Sequence, residues 1–240
     1  MRKFLKFLTL GFVLVVSSCS HQPAYAWSLK DMNKTVNQTN FMINGNCSGT
    51  RIPYGKNNIL TAYHCISSPH ITDDAAIKQI TADVSQYDHR DYLKIQTVTY
   101  KAKVSSYSKE YDIAILTTIA DLPEIDSPTK FLPDDKDFQR GEDVWVVGNP
   151  AGIYGSVLKG TISNKTQRFN DAVPVESGGV ELFQFSGGIT GGNSGGSIFT
   201  KKGYFIGMPI IVRRGSPFMA NAVPVQRIKK FLTDNKLEIQ

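Results

Sequence analysis

The sequence predicts an all-β protein. Many short runs rich in β-branched and aromatic residues are separated by Gly, Pro, Asn and Asp, which is the pattern of short strands joined by turns. One segment has the spacing of an amphipathic helix, because Val225, Ile228, Phe231 and Leu232 recur every three or four residues. We therefore expect a β-protein whose C-terminal helix docks its apolar stripe on the last strands.

The N-terminus predicts that the chain is exported. Three basic residues precede an apolar run at positions 7–16, which is the arrangement of a secretory signal peptide. The run is too short to cross a bilayer, because a membrane-spanning helix takes about 20 apolar residues. We therefore assign residues 1–18 to a signal peptide and the polar residues 19–40 to a tether.

Two processing sites compete in this leader. The segment VSSC, which ends at Cys19, resembles a bacterial lipobox, in which the cysteine is lipidated and becomes the new N-terminus. Ala24 and Ala26 instead form an A-x-A site for ordinary signal peptidase. We favour the lipobox because Cys19 directly follows the apolar run. The expectation is a cell-envelope lipoprotein on the periplasmic side, or a soluble periplasmic or secreted protein if cleavage follows Ala26.

Charge and composition argue against a nucleic-acid partner or a cofactor. The net charge of +6 falls to +3 once the leader cations Arg2, Lys3 and Lys6 are removed. The remaining basic pairs, at 201–202, 213–214 and 229–230, are scattered, as in a solvated surface. No Cys/His cluster has metal-ligand spacing and no glycine loop has the phosphate-binding pattern. We expect neither a metal nor another cofactor.

The stretch GGNSGGS at 191–197 is the strongest candidate for chemistry. Glycines on both sides of Ser194 allow a tight turn and a close approach of backbone N–H groups to a substrate carbonyl. One loop could thus supply a nucleophile, Ser194, and an oxyanion hole formed by the N–H groups of Gly192 and Ser194. A glycine-rich turn without a catalytic role is the alternative for this segment taken alone.

The order of the histidines narrows the possible enzyme classes. An α/β-hydrolase places its histidine after the nucleophile, whereas every histidine here precedes Ser194. His64 ends the β-prone run NILTAYHC, so we expect a strand that carries an imidazole at its tip. His70 and His89 lie among polar residues and are interpreted as exposed loop histidines.

Asp112 is the best candidate for an orienting carboxylate. It stands in the apolar run YDIAILTT, where a buried acid must be paired, and a histidine N–H is its natural partner. This gives the chymotrypsin order of His, Asp and Ser. The subtilisin order would need Asp31, whose surroundings have no strand character.

The segments TAYHC, YDIAIL and GNSGGSIF resemble the His, Asp and Ser segments of the trypsin-like, chymotrypsin-fold serine proteases. GEDVWVVGNPAG, GSVLKGTISN and ANAVPVQRIKKFL are similar to segments of the bacterial high-temperature-requirement branch. The resemblance implies two six-stranded antiparallel β-barrels with an active site between them. We place the barrels at 41–120 and 142–240, the second including the helix, with a Pro- and Asp-rich connection at 121–141. Only 46 residues follow Ser194, so we expect no PDZ domain after the protease unit.

The resemblance also implies roles for individual residues. His64 becomes the general base and Asp112 its orienting acid in a peptide-cleaving enzyme whose partners are polypeptide substrates. Asn193 stands where zymogen-activated relatives have an aspartate, which suggests activity without N-terminal cleavage. The primary specificity pocket falls on residues 188–190, that is Gly188, Ile189 and Thr190. These residues include no acid, so a preference for small or medium apolar side chains is expected.

Two further expectations concern the cysteines and the rival function. Cys47 and Cys65 form an even pair in an oxidising compartment, and a disulfide is the economical interpretation. Many trypsin-like enzymes likewise have a bridge whose second cysteine follows the catalytic histidine. The alternative to a protease function, from a different functional class, is a catalytically silent barrel that binds peptides or envelope proteins.

Overall fold

The first six strands form a closed antiparallel barrel. The computed structural model describes residues 27–67, 73–88, 96–134, 136–168, 181–212 and 218–237. The strands of barrel 1 are β1 (Asn40–Ile43), β2 (Cys47–Arg51), β3 (Asn58–Thr61), β4 (Thr81–Asp88), β5 (Gln96–Ser108) and β6 (Ile113–Thr118). They pair in the order β1-β2-β3-β6-β5-β4, and β4 returns to β1. Phe41, Ile59 and Leu116 are fully buried in its core, as the apolar runs of these strands predict.

A second six-stranded barrel follows. The connection contains β7 (Lys130–Phe131), and barrel 2 consists of β8 (Asp143–Gly148), β9 (Ser156–Arg168), β10 (Glu181–Ser186), β11 (Ser197–Thr200), β12 (Tyr204–Val212) and β13 (Met219–Pro224). The strand order is β11-β8-β9-β10-β13-β12, and pairing of β11 with β12 closes the barrel. β7 pairs in parallel with β12. The predicted all-β fold of two six-stranded barrels is confirmed.

The barrels share one apolar interface. Leu60 and Ile115 of barrel 1 belong to the same core cluster as Val146 and Phe199 of barrel 2. The buried guanidinium of Arg51 ties the connection to barrel 1 by donating to the carbonyls of Pro123 and Lys56, each at 2.7 Å. Residues carried by the two barrels are therefore brought together only when both barrels pack.

Three helices accompany the barrels within the described residues: α1 (Leu29–Thr39), α2 (Asp74–Lys78) and α3 (Val225–Asp234). The predicted C-terminal helix is α3, whose apolar residues Val225, Ile228, Phe231 and Leu232 are all buried. Arg227 of α3 lies over the ring of Tyr111, 4.5 Å from its centroid. No helix in this part of the chain has the length and hydropathy needed to cross a membrane.

α1 was not predicted, and it occupies much of the segment assigned to the polar tether. Its buried residues Met32, Thr35, Val36 and Thr39 have helical spacing, but two of the four are threonines, so the apolar periodicity is weak. A signal was present at its start, because Ser28 accepts a hydrogen bond from the backbone N–H of Asp31 at 3.1 Å and acts as the N-cap.

Candidate active site

His64 lies on a single 3₁₀ turn, Tyr63–Cys65, and not at the tip of a strand as predicted. β3 ends at Thr61, and the turn closes when the N–H of Cys65 donates to the carbonyl of Ala62 at 3.1 Å. Its imidazole keeps 45% exposure. A tight turn after a buried strand thus projects the ring out of barrel 1, where a substrate can reach it.

Asp112 also lies just outside the strand predicted for it. β6 begins at Ile113, and Asp112 has a left-handed backbone with φ 53°. Aspartate is among the few residues that tolerate this region. The backbone of Asp112 is held on both sides, since its N–H donates to Lys109 O at 3.3 Å and its carbonyl accepts from Tyr63 N at 3.1 Å.

The Asp112 carboxylate holds His64 by two hydrogen bonds. Oδ1 accepts from the backbone N–H of His64 at 2.8 Å, and Oδ2 lies 2.6 Å from ring Nδ1. The Asp112 side chain is only 14% exposed, so its attraction for the imidazole is weakly screened. With Nδ1 donating to the carboxylate, the neutral ring presents Nε2 as an acceptor.

The pKa of His64 lies above its ordinary value of 6.5 as the net result of two opposing influences. Burial disfavours the imidazolium and lowers the pKa, whereas the hydrogen bond and the negative charge of Asp112 raise it and prevail. The arrangement stabilises a protonated His64 relative to the free side chain. This is what a base needs if it must hold a proton during a reaction.

Ser194 is half-buried in the loop between β10 and β11. Its Oγ donates to the carbonyl of Ile210 at 3.3 Å, and its own carbonyl accepts from Ser48 N at 2.8 Å. Gly195 has φ 84°, and a Cβ there would lie 2.1 Å from Ser48 O and 2.4 Å from Thr61 Oγ1. The loop therefore packs against the ends of β2 and β3, next to the turn that carries His64.

The backbone at Gly192 carries one of the two N–H groups predicted for the oxyanion hole. The carbonyl of Gly191 accepts from Ala151 N at 2.8 Å, and because a trans peptide is planar, the N–H of Gly192 points the opposite way. Within the described residues, the N–H groups of Gly192 and Ser194 donate to no protein acceptor. Both donors remain available to a bound oxyanion.

Cys47 and Cys65 are joined by a disulfide in the structure. The bridge links β2 to the His64 turn, and Cys65 Sγ lies 3.7 Å from the carbonyl oxygen of Ser194. The two sulfurs and a ring nitrogen of His64 all lie within 4.8 Å of one another. Sulfurs bonded in a disulfide are not thiolate ligands, so the bridged protein cannot hold a metal through them.

The residues predicted for the primary pocket differ in their surroundings. Gly188 and Thr190 are exposed, whereas Ile189 is buried in the main core cluster. Asn193 is 1% exposed, and its Nδ2 donates to the carbonyl of Thr190 at 3.1 Å. The loop at 187–196, which we call the nucleophile loop because it carries the candidate nucleophile Ser194, is thus braced internally by a neutral amide.

Several other candidates lie away from this site or outside the described residues. Asp31, needed for the subtilisin order, lies in the first turn of α1 and accepts a hydrogen bond from Oγ of the N-cap residue Ser28. Lys229 and Lys230 form ion pairs with Asp134 and Asp234. Three sets of predicted features lie outside the described residues, namely the two loop histidines, the Arg pair and both processing sites: His70, His89, Arg213, Arg214, Cys19, Ala24 and Ala26.

Two polar residues at the site were not predicted from the sequence. Ser48 and Asn149 are both completely buried and contact each other and the nucleophile loop. Ser48 directly follows the first bridge cysteine, and Asn149 follows the apolar strand β8. In each case the signal available from the sequence was a small polar residue beside an apolar strand. Such a signal does not identify the residues that the side chain will contact.

Comparison with known proteins decides the family. The model of the trypsin-like peptidase domain matches residues 47–208, which is well over half of the chain. The chain belongs to the trypsin-like peptidase family. The matched region contains both barrel-1 candidates, His64 and Asp112, and the nucleophile loop of barrel 2.

Curated relatives within this family come from the high-temperature-requirement branch, as the sequence motifs predict. Serine protease HTRA1B of Danio rerio is 29% identical over 160 residues, covering 64% of this chain and 31% of that protein. Serine protease HTR4 of Bos taurus is 28% identical over 170 residues, covering 70% of this chain and 34% of that protein. The chain therefore aligns with about a third of the length of these relatives.

Solved structures show the same fold. The active form of the Rv3671c protease from M. tuberculosis superimposes with a TM-score of 0.64 at 17% identity, covering 90% of this chain and 89% of that one. Deg5 superimposes with a TM-score of 0.63 at 20% identity, covering 84% of this chain and 90% of that one. At these identities the likeness concerns the trypsin-like architecture alone.

Proposed function

We propose that this member of the trypsin-like peptidase family is an exported serine endopeptidase that works through a His64–Asp112–Ser194 triad. The observation that carries the proposal is the 2.6 Å contact between Asp112 Oδ2 and His64 Nδ1, beside a glycine loop that presents Ser194. A buried acid that is hydrogen-bonded to Nδ1 of an imidazole leaves Nε2 free to accept a proton from a nucleophile. Membership of the family supports the same role.

The reaction begins with a rotation of the Ser194 side chain. Its hydroxyl donates to Ile210 O in the substrate-free protein, and it must turn toward His64 Nε2 before it can react. His64 then accepts the hydroxyl proton as Oγ forms a bond to the carbonyl carbon of the peptide. Asp112 holds the ring tautomer and stabilises the imidazolium throughout this step.

The tetrahedral intermediate places its oxyanion between the N–H groups of Gly192 and Ser194. Its collapse breaks the carbon–nitrogen bond, and His64 returns the proton to the departing amine. Water, deprotonated by His64, then attacks the acyl carbon, and as the bond from that carbon to Oγ breaks, His64 returns the proton to Ser194 and the carboxylic acid is released. The chain's own groups supply every proton transfer in this scheme.

No N-terminal cleavage is required to shape this loop in the proposal. In zymogen-activated relatives an aspartate precedes the serine and needs an ionic partner. Here the neutral side chain of Asn193 donates to Thr190 O within the same loop. A buried amide bonded in this way has no charge to compensate, which supports activity without zymogen processing.

The proposed substrates are polypeptides with small or medium apolar side chains before the cleaved bond. The primary pocket segment at 188–190 has no acid to pair with a lysine or arginine, and burying an unpaired cation is costly. No histidine follows Ser194 to receive a glutamate. An apolar pocket distinguishes side chains by about 1 to 3 kcal/mol per methylene, so the preference is broad.

The proposed location is the cell envelope, with Cys19 lipidated after removal of residues 1–18. The contiguity of the apolar run with VSSC supports this over cleavage after Ala26. Trp27, the first described residue, contacts barrel 2 through a hydrogen bond from its N–H to Lys201 O at 2.8 Å. Cleavage after Ala26 would therefore leave a new N-terminus, Trp27, beside barrel 2.

The decisive experiment is labelling with a fluorophosphonate, which reacts with an activated serine whatever the natural substrate. The wild type should be labelled at Ser194, and Ser194→Ala, His64→Ala and Asp112→Asn should each lower turnover by about 10⁴-fold or more while remaining folded. Two substitutions together should cost little more than one, because the residues act as one unit. Asp143→Asn, a surface acid paired with Lys159, is the matched control and should retain near-normal turnover.

The alternative function, peptide binding without catalysis, predicts the opposite result in the labelling experiment. A catalytically silent barrel that binds peptides or envelope proteins would leave the wild type unlabelled and would bind peptide without cleaving it. Near-normal turnover by a folded Asp112→Asn variant would show that the carboxylate has been assigned wrongly.

A further inference from the structure

Ser48 is a buried hydroxyl whose hydrogen-bonding capacity is fully used. It lies on β2 with 0% exposure. Its Oγ contacts the carbonyl of Gly192 at 2.6 Å, the backbone N of Asn149 at 2.8 Å and Asn149 Nδ2 at 3.1 Å. Both Asn149 groups are N–H donors, and a hydroxyl has one proton and two acceptor positions. The single proton of Ser48 is therefore directed at the carbonyl of Gly192.

This hydrogen bond fixes the peptide that follows Gly192. The peptide that precedes it is fixed by the bond from Ala151 N to the carbonyl of Gly191 at 2.8 Å. Gly192 has φ 102°, a conformation open to glycine, and glycine also has the freedom to leave it. With one plane held by Ala151 and the other by Ser48, the N–H of Gly192 has a single direction.

The partner of Ser48 is itself held from several sides. The side chain of Asn149 donates from Nδ2 to the carbonyl of Phe41 at 2.7 Å, and its Oδ1 accepts from Asn40 Nδ2 and Gly155 N, each at 2.9 Å. Asn40 and Phe41 belong to barrel 1, whereas Asn149 follows β8 of barrel 2. The hydroxyl is thus oriented by groups that meet only when the barrels are packed together.

We infer that Ser48, oriented by Asn149, is a positioning residue for the oxyanion hole of this enzyme. The inference rests on the proposed function, since it assigns a role within that reaction. Ser48 touches neither substrate nor the reacting atoms. It acts by holding the peptide that follows Gly192, which limits rotation about the Gly192 backbone. Together with the bond from Ala151 to the preceding peptide, this keeps the Gly192 N–H aimed where negative charge develops in the transition state.

Thr50 provides a matched control on the same strand. It is also buried and also directs a hydroxyl at the nucleophile loop, with Oγ1 2.6 Å from Ser197 Oγ and 3.4 Å from the carbonyl of Gly195. Within the described residues, its hydroxyl makes no hydrogen bond to Gly192. Removing either hydroxyl disturbs buried hydrogen bonds between barrel 1 and the loop, but only the Ser48 change should release the oxyanion hole.

The experiment compares Ser48→Ala with Thr50→Val in the full-length protein, using a peptide substrate and a peptide trifluoromethyl ketone. The ketone forms a tetrahedral adduct with the nucleophile and places an oxyanion in the hole. Loss of one oxyanion donor lowers kcat by about 10²- to 10³-fold, and misdirecting a donor should cost less. We expect Ser48→Ala to lower kcat by about 10- to 100-fold with KM unchanged, and to weaken ketone binding by a similar factor.

Thr50→Val should keep kcat within about twofold once turnover is normalised to the folded fraction, because its hydroxyl holds no part of the hole. If Ser48→Ala does not fold, Asn149→Ala leaves the hydroxyl in place, removes the amide that orients it and should lower kcat with the same signature. An active wild type with kcat unchanged in folded Ser48→Ala, or lowered equally in Thr50→Val, would overturn the positioning role alone. A wild type that neither cleaves peptide nor reacts with a fluorophosphonate would overturn the proposed function and this inference with it.

Discussion

Removing the disulfide by the double substitution Cys47→Ala/Cys65→Ala should destabilise the protein. The size of the effect depends on the length of the loop that the bridge closes. The bridge joins residues 18 apart in sequence and closes a loop that contains the whole of β3. A cross-link over a loop of this length lowers the entropy of the unfolded chain, which corresponds to about 3 kcal/mol of stability in the native protein. Cys47 is buried, so the smaller alanine side chains add a packing loss in the same direction.

For a chain of this size, each kcal/mol lowers the melting temperature by about 2 to 4 °C, so the double variant should melt about 6 to 12 °C below the wild type. Thermal unfolding followed by circular dichroism measures the shift directly. A reducing agent provides the internal control, because it should lower the melting temperature of the wild type toward that of the variant and leave the variant unchanged.

The same substitution should lower kcat. The bridge anchors the His64 turn to β2, and β2 holds the backbone of Ser194 through the hydrogen bond from Ser48 N. Without the bridge, the proposed base His64 and the proposed nucleophile Ser194 lose a common support, and misplacement of a catalytic group slows a reaction. Equal melting temperatures for the oxidised wild type and the double variant would refute the expected contribution of the bridge to stability. Two freely alkylated thiols in protein isolated without a reducing agent would refute the bridge itself.

Three further outcomes are expected. Because burial lowers the pKa of His64 but the hydrogen bond and charge of Asp112 raise it further, kcat/KM should fall on acidification with a midpoint above about pH 6.5, and a lower midpoint would contradict the paired geometry. Cleavage-site profiling on denatured proteins should show mostly small and medium apolar side chains before the cut bond, whereas dominant cutting after Lys, Arg or Glu would overturn the pocket assignment but not the triad. The protein should fractionate with membranes, and Cys19→Ala should release it or stall its processing, whereas a mature N-terminus at Trp27 would show that the A-x-A site is used.

The raised pKa of His64 also has a consequence for stability. The folded pKa lies above the unfolded value, so the contribution of the His64–Asp112 contact to the free energy of unfolding is complete only below the unfolded pKa of about 6.5. It diminishes as the pH rises through the higher folded pKa. Stability from this contact and activity from the neutral base therefore change in opposite directions over the same pH range.

The sequence by itself determined the fold class and the residue types of the candidate site. Strand-forming runs separated by turn residues predict an all-β protein, because alternation and turn chemistry are local properties. The two-barrel architecture is what the resemblance to trypsin-like proteases implies. Ser194 among glycines and Asp112 alone in an apolar run were identifiable because a nucleophile loop and a buried acid each leave a local signature. The chain order of histidine, aspartate and serine then excluded an α/β-hydrolase without reference to any structure.

Only the tertiary structure decided the local geometry that surrounds those residues. His64 lies on a 3₁₀ turn and Asp112 adopts φ 53° because contacts between the two segments override their strand preference. The helix α1 is stable although half of its buried residues are threonines, because both hydroxyls are hydrogen-bonded. Thr35 Oγ1 bonds to Ser127 Oγ, and Thr39 Oγ1 donates to the carbonyl of Thr35. Propensity and periodicity do not register such contacts.

The roles of Ser48 and Asn149 are the clearest case of information absent from local sequence. Ser48 meets the Gly192 carbonyl across 144 residues of chain, and Asn40 meets Asn149 across 109. A buried serine or asparagine must be hydrogen-bonded, but its partners depend on how the two barrels pack. The residue types could be read from the sequence, whereas the direction of a single hydroxyl proton followed only from the folded arrangement of its three neighbours.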